Sequence, residues 1–249
     1  MPLLILISAC GEELAPNIPE YETELNIAGT ISPNLEFNSF YVSTSTPITE
    51  GFGSDNSSSS TTVVQVSNGS ETVTLSYNNF RNMFIDANNE LNITPGETYS
   101  VYAEDIDGHI AEGSTVVPGD FSILSPSSGD LVLGDTLKLR WTESKYASAY
   151  RIMIYTDETL PWPFNDEESG IVFFEWVAED TTIILPPGLT EFIFPIDGDY
   201  NMMVMATDTN YYDYFRNEED PLNRFHLDRG IGYFGSMVVQ QKILTITSP

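Results

Sequence analysis

Basic residues are scarce in this chain. Its 249 residues hold 9 Lys plus Arg against 37 Asp plus Glu, a formal net charge of −28. Nucleic acid and anionic membranes repel such a surface, which excludes both as electrostatic partners. Cysteine is nearly absent: Cys10 stands alone, so no disulfide forms within the chain. The two histidines, His109 and His226, fall in different halves, and a closed zinc site needs about four N or S ligands. Long apolar runs are missing too, and no stretch approaches the ~20 residues of a membrane-spanning helix. There is no G-x-S-x-G elbow, no phosphate-cradling glycine loop and no dinucleotide fingerprint. Carboxylates are so abundant that a glycosidase-type pair carries no information. These absences leave no catalytic residue to assign and no cofactor required.

What is present suffices to fold. The chain is 41% hydrophobic and 12% aromatic, enough to build cores. The acidity is general. Residues 1–119 hold sixteen acids and one basic residue, Arg81, and residues 120–249 hold twenty-one acids and eight basic residues. This reads as a hydrated surface and not as an acidic tail. Helical periodicity is nearly absent, with 77–88 the best helix candidate, while short alternating runs bounded by Gly, Pro, Asn and Asp recur. In the first half, 24–29, 39–44, 62–67, 71–77, 100–104 and 110–117 read as strands. Asn68-Gly69 signals a hairpin, Pro95-Gly96 a type II turn, and Asp107-Gly108 a further turn. Pro118-Gly119 marks the best domain boundary. In the second half, Leu137, Leu139 and Trp141 alternate, as do Tyr150, Ile152 and Ile154, then Met202, Val204 and Ala206. The last strand is expected over 237–247. The fold class is all-β.

Four motifs carry resemblances. Ile7-Ser8-Ala9-Cys10 follows a short apolar run and resembles the lipobox of bacterial lipoproteins. The resemblance implies diacylglycerol on the Cys10 thiol and cleavage before it. The run lacks the basic flank of a signal peptide, which an upstream start would supply. The stretch from Leu91 to Gly108, with Pro95-Gly96-Glu97-Thr98-Tyr99 at its centre, resembles prealbumin-like and carboxypeptidase-regulatory β-sandwiches. Trp141, the Tyr150-x-Ile152-x-Ile154 pattern and Tyr200 after Gly198-Asp199 resemble strands B, C and F of a fibronectin type III domain. Tyr200 would then be the tyrosine corner of an Ig-like sandwich. With Gly232-Tyr233-Phe234-Gly235-Ser236 before the final strand, the set is similar to an uncharacterised family of Gram-negative envelope lipoproteins that carry a domain of unknown function. The resemblance implies four segments: a signal-peptide remnant (1–9), a lipidated tether (10–23), an N-terminal β-sandwich (24–118) and a fibronectin-like sandwich with long insertions (119–249). It also implies an outer-membrane location, with an outer-membrane receptor as partner.

Two features are candidates for binding. Asp105-Ile106-Asp107-Gly108 opens like a calcium loop, but Val116 occupies the twelfth position where an EF-hand needs glutamate, and Asp-Gly is also an ordinary turn. Calcium at Asp105 and Asp107 is thus an alternative to a plain β-turn. The aromatic insertions are more distinctive. One carries Trp162, with Phe173, Phe174 and Trp176 after it. The other carries Tyr211, Tyr212, Tyr214 and Arg216. Consecutive tyrosines cannot all face one side of a strand, so some are expected to be exposed or packed on a partner, whereas Phe173, Phe174 and Trp176 suit a local mini-core under the insertion equally well. Exposed Tyr and Trp suit protein recognition or stacking on sugar rings. The expected function is a non-catalytic, membrane-tethered binding protein, with a carbohydrate-binding or carbohydrate-processing lipoprotein as the alternative.

Overall fold

The computed structural model describes residues 21–33, 38–47, 61–127, 130–132, 135–156, 172–216 and 226–247, and the statements below concern these. Cys10, Trp162 and Arg224 lie outside them. The chain is all-β, as its alternation predicts, with two short helices.

The first half contributes β1 (Leu25–Ile31), β2 (Ser39–Thr44), β3 (Val63–Ser67), β4 (Thr72–Thr74), β5 (Ser76–Asn78), β6 (Met83–Ile85), β7 (Thr98–Glu104) and β8 (Ile110–Val116). One layer pairs β1, β2, β6 and β5, and the facing layer pairs β8, β7, β3 and β4. Alternation drives the packing. Ile27, Ile31, Phe40, Val42 and Phe84 from the first layer meet Val64, Val66, Tyr99, Val101 and Ala111 from the second, all buried. Each such large side chain contributes about 1.5–3 kcal/mol by leaving water. The Pro95-Gly96 turn forms as expected, with Gly96 at φ +83 and the Glu97 amide donating to the Thr94 carbonyl at 3.3 Å.

The expected helix over 77–88 does not form. Tyr77 pairs with Phe84 across β5 and β6, and their rings lie 5.1 Å apart. The Asn78 side chain accepts hydrogen bonds from the Phe80 and Arg81 amides, both at 3.0 Å, and Asn82 takes φ +58. Local side-chain bonding by asparagine thus wins over helix formation.

The second half contributes β9 (Ile123–Ser125), β10 (Asp130–Val132), β11 (Leu137–Trp141), β12 (Ala149–Tyr155), β13 (Val172–Ala178), β14 (Thr182–Leu185), α1 (Pro187–Ile193), β15 (Gly198–Thr207), α2 (Thr209–Arg216), β16 (Leu227–Arg229) and β17 (Ile231–Thr247). A three-stranded layer β14-β11-β9 faces β13-β12-β15-β17. Trp141, Ile152, Ile154, Met202, Val204 and Leu244 fill the space between. The Tyr200 hydroxyl donates to the Ile196 carbonyl at 3.1 Å, the tyrosine-corner bond expected of such a sandwich.

The halves are joined by more than a linker. β17 is 17 residues long. Its first part runs parallel to β1, from Asn26↔Ile231 to Ile31↔Ser236. Its second part runs antiparallel to β15, from Thr207↔Met237 to Gly198↔Ile246. One strand therefore serves both layers in succession, and β16 adds to the edge of β8. Gly232 makes the close approach to β1 feasible. It has φ +102, and a Cβ there would sit 2.0 Å from the Ile27 carbonyl oxygen.

Candidate functional site

The 211–216 segment is a helix and not an open loop. Helix α2 starts because Asp208 caps it: the Tyr211 amide donates to Asp208 Oδ1 at 3.0 Å, the third-position capping contact. Arg216 stands in the last turn, where a cation suits the helix dipole.

Asp208 is only 4% exposed and ties α2 to both sandwiches. Its Oδ1 also accepts the Ser236 amide at 3.0 Å, and its other oxygen accepts the Thr115 hydroxyl. Thr115 and Ser236 hydroxyls lie 2.8 Å apart, and Ser236 Oγ donates to the Val116 carbonyl at 3.1 Å. Asn210 Nδ2 donates to the Ser114 and Phe234 carbonyls at 2.7 and 2.8 Å. Burial pushes the Asp208 carboxyl above its ordinary value, while the hydrogen bonds from Thr115, Ser236 and Tyr211 pull the other way. The Gly-Tyr-Phe-Gly-Ser segment thereby acquires a physical reading. Phe234 packs on Phe40, Ser236 completes the polar node, and Gly235 lets the backbone of Tyr211 come close, since a Cβ there would lie 3.0 Å from the Tyr211 amide nitrogen.

The tyrosines divide by role. Tyr211 is buried against Met205 and Met237, and its hydroxyl accepts from Arg151 at 2.8 Å. Tyr214 stacks on Tyr233, with centroids 4.3 Å apart. Tyr212 faces β13, and its hydroxyl donates to Glu179 at 3.1 Å. Burial raises the Tyr212 hydroxyl pKa, and the Glu179 carboxylate raises it further. Asp213 on the same helix meets His226 Nε2 at 2.7 Å.

Between α2 and β13 lies a groove of about 420 Å³, lined by Arg151, Glu175, Trp176, Tyr212, Phe215 and Arg216 among others. Trp176 is 48% exposed and Phe215 52%. Arg151 donates to Glu175 at 2.8 Å. That bond raises the Arg151 pKa against the lowering effect of its burial, so the guanidinium stays charged. The groove thus combines half-exposed aromatic surface with two guanidinium groups on an otherwise acidic chain. Of the residues singled out from the two aromatic insertions, it gathers Trp176, Tyr211, Tyr212 and Arg216, and not Tyr214. Sequence reading missed Arg151, Glu175 and Glu179. The signal for Arg151 was a lone cation on the outward face of a strand in a chain poor in cations.

The turn after β7 has its own chemistry. Asp105 Oδ1 accepts the Asp107 and His109 amides at 3.0 and 2.9 Å, and Oδ2 meets His109 Nδ1 at 2.7 Å. Burial acts to raise the Asp105 carboxyl, but the His109 ring and amide bonds outweigh it and hold its pKa below the ordinary value. Asp105, Asp107 and His109 present ligand atoms within 4.8 Å of one another. These three are the residues of the turn that would hold a metal. The same bonds make Asp105 a turn-forming residue in its own right.

No protein-family profile matches the chain, and no curated protein matches it. Solved structures similar to it include the fibronectin(III)-like modules of Clostridium thermocellum CbhA, at 9% identity over 90% of this chain and 94% of that one, with a TM-score of 0.26. The chicken CNTN1 FN1-FN3 domains match at 13% identity over 73% and 57%, with a TM-score of 0.26. A two-domain fibronectin type III segment of chicken tenascin matches at 12% identity over 90% and 97%, with a TM-score of 0.22. At these scores the likeness adds nothing to the strand order itself, in which β14-β11-β9 faces β13-β12-β15-β17 in the second half, with the short β10 added parallel to β17.

Proposed function

We propose that this chain is a non-catalytic binding module of the cell envelope, anchored by lipid on Cys10, with the groove between α2 and β13 as its contact surface. The first half serves in this reading as a prealbumin-like spacer that carries the groove away from the membrane. The observation that supports it most is the groove itself. Half-exposed Trp176 and Phe215 beside Arg151 and Arg216 is the combination found at the centres of protein interfaces. An outer-membrane receptor protein is the partner this reading favours.

The test uses exposed residues, so that folding is kept separate from binding. Trp176→Ala, Phe215→Ala and Arg216→Glu should each weaken binding to the partner identified by cross-linking in the native envelope, with the native circular dichroism spectrum retained; Phe215 also packs on Tyr211, Tyr214 and Tyr233, so only its variant should melt measurably lower. Undiminished binding by all three would overturn the site. The anchor is tested apart from it: Cys10→Ser should move the protein from the membrane to the soluble fraction.

A glycan ligand is the second reading. Trp176 stacks against Phe174 with centroids 6.0 Å apart, on the face of β13 opposite to Glu175, and it lines a second cavity with Glu179 and Asp180. An indole face beside carboxylates suits a sugar ring and its hydroxyls. A glycan array discriminates the two, and turnover of any hit would make the chain carbohydrate-processing.

A further inference from the structure

Three exposed apolar side chains collect at one end of the first sandwich. Phe80 is 98% exposed on the turn between β5 and β6, Ile106 is 75% exposed on the turn between β7 and β8, and Tyr21 is 43% exposed just before β1. The strand register brings them together. Leu25 pairs with Thr44, so the start of β1 lies beside the end of β2. β6 runs antiparallel to β2, with Ser39↔Ile85 and Phe40↔Phe84, so the 79–82 turn extends toward the Thr44 end. Gly108 and His109 line one cavity with Thr23, Glu24 and Leu25, which puts the Ile106 turn at that end as well. The Phe80 turn is also held in shape. Asn78 caps the two amides at 3.0 Å, and the Tyr77 hydroxyl donates to Asn82 at 2.5 Å. A turn fixed in this way keeps Phe80 in the open.

The same end is where the chain departs toward Cys10. Ten residues lie between Cys10 and Tyr21, a reach of at most about 40 Å when fully extended. β17 runs in the other direction, from Ile231 beside Asn26 to Ile246 beside Gly198, so α1 occupies the far end of the molecule.

We propose that this end is a bilayer-contact tip. Phe80, Ile106 and Tyr21 seat in the interfacial layer of a zwitterionic membrane and stand the molecule upright, with the groove held above the surface. The proposal rests on the Cys10 tether of the preceding reading. Aromatic and aliphatic side chains on fixed turns match the half-apolar, half-wet interface. The charges choose the lipid: Glu24, Asp105 and Asp107 share the end with Arg81 and Arg229, so an anionic surface is repelled and an uncharged one is not. Three side chains do not anchor a protein by themselves. A tether confines them near the surface, which makes insertion an intramolecular event.

Cys10 is the sole thiol, which allows a test independent of cellular lipidation. The full chain is coupled through Cys10 to maleimide-headgroup lipid in phosphatidylcholine vesicles that contain dibrominated phosphatidylcholine. Phe80→Trp, Ile106→Trp and, at the far end, Phe192→Trp each add one emitter, read as the difference from the wild-type chain coupled identically. All three sites are exposed, so the substitutions leave the fold intact. Emission added at residues 80 and 106 should be quenched about two-fold or more, as expected for side chains at the acyl boundary, and emission at residue 192 should be unchanged. Equal, absent quenching at all three sites would overturn the tip. Because coupling is chemical, that result stands apart from failure of the native anchor, which Cys10→Ser fractionation reports.

Discussion

Removing the Asp208 carboxylate should cost more stability than any other polar substitution in the junction. Asp208→Ala leaves three buried donors without their acceptor: the Tyr211 amide, the Ser236 amide and the Thr115 hydroxyl. Each stranded donor costs about 1–3 kcal/mol, so the sum is roughly 3–9 kcal/mol, a large part of the about 5–15 kcal/mol that stabilises a domain. Asp208→Asn should cost under about 1.5 kcal/mol. Its carbonyl still accepts both amides, and its NH₂ donates to Thr115 Oγ1, which then donates to Ser236 Oγ, which donates to the Val116 carbonyl. The pH dependence gives an independent check. Burial raises the folded-state pKa of Asp208 above its unfolded value. The group's contribution to stability is therefore fully present below the unfolded pKa and is lost as pH rises through the folded one. Wild type should lose stability relative to Asp208→Asn over that window. Urea unfolding at a series of pH values, followed by circular dichroism, measures both. A wild-type advantage that grew with pH, or an Ala variant as stable as the Asn variant, would refute the reasoning.

Three further predictions concern the shared strand. The halves should unfold together: tryptophan emission, which arises only from the second half because Trp141, Trp162 and Trp176 all lie there, should give the same urea midpoint as circular dichroism of the whole chain. By the same logic a fragment ending at residue 118 should not fold, since it lacks the β17 segment that pairs with β1, and its amide NMR spectrum would report this. Gly232→Ala should destabilise by more than about 3 kcal/mol, because φ +102 and a 2.0 Å approach to the Ile27 carbonyl add backbone strain to a steric clash; thermal melting checks it.

The strands were legible because each has one wet face. β11, β12 and the first part of β15 alternate in sequence as they do in burial, and Tyr200 announced its corner by its place after Gly198-Asp199. β17 was only half legible. Residues 234–238 are buried on both faces, since the strand passes between sandwiches there and α2 covers its outer side, so alternation fades where the strand matters most. α2 was hidden for a different reason. Eight residues are too few for periodicity to show or for a helix to persist alone. Its existence depends on Asp208, whose partners Thr115 and Ser236 are 93 and 28 residues away. The groove shares that limitation: Arg151, Glu175 and Arg216 converge only because β12, β13 and α2 are brought side by side.

The claim that matters most is that the groove beside α2 is the contact surface. It is tested most directly by placing the photo-reactive residue benzoylphenylalanine at position 215, on the groove, and at position 192, on the exposed side of α1, and irradiating the native envelope. The account predicts one discrete cross-linked species from position 215, abolished by Arg216→Glu, and none from position 192. Cross-linking to the same species from both positions, or from position 192 alone, would contradict it.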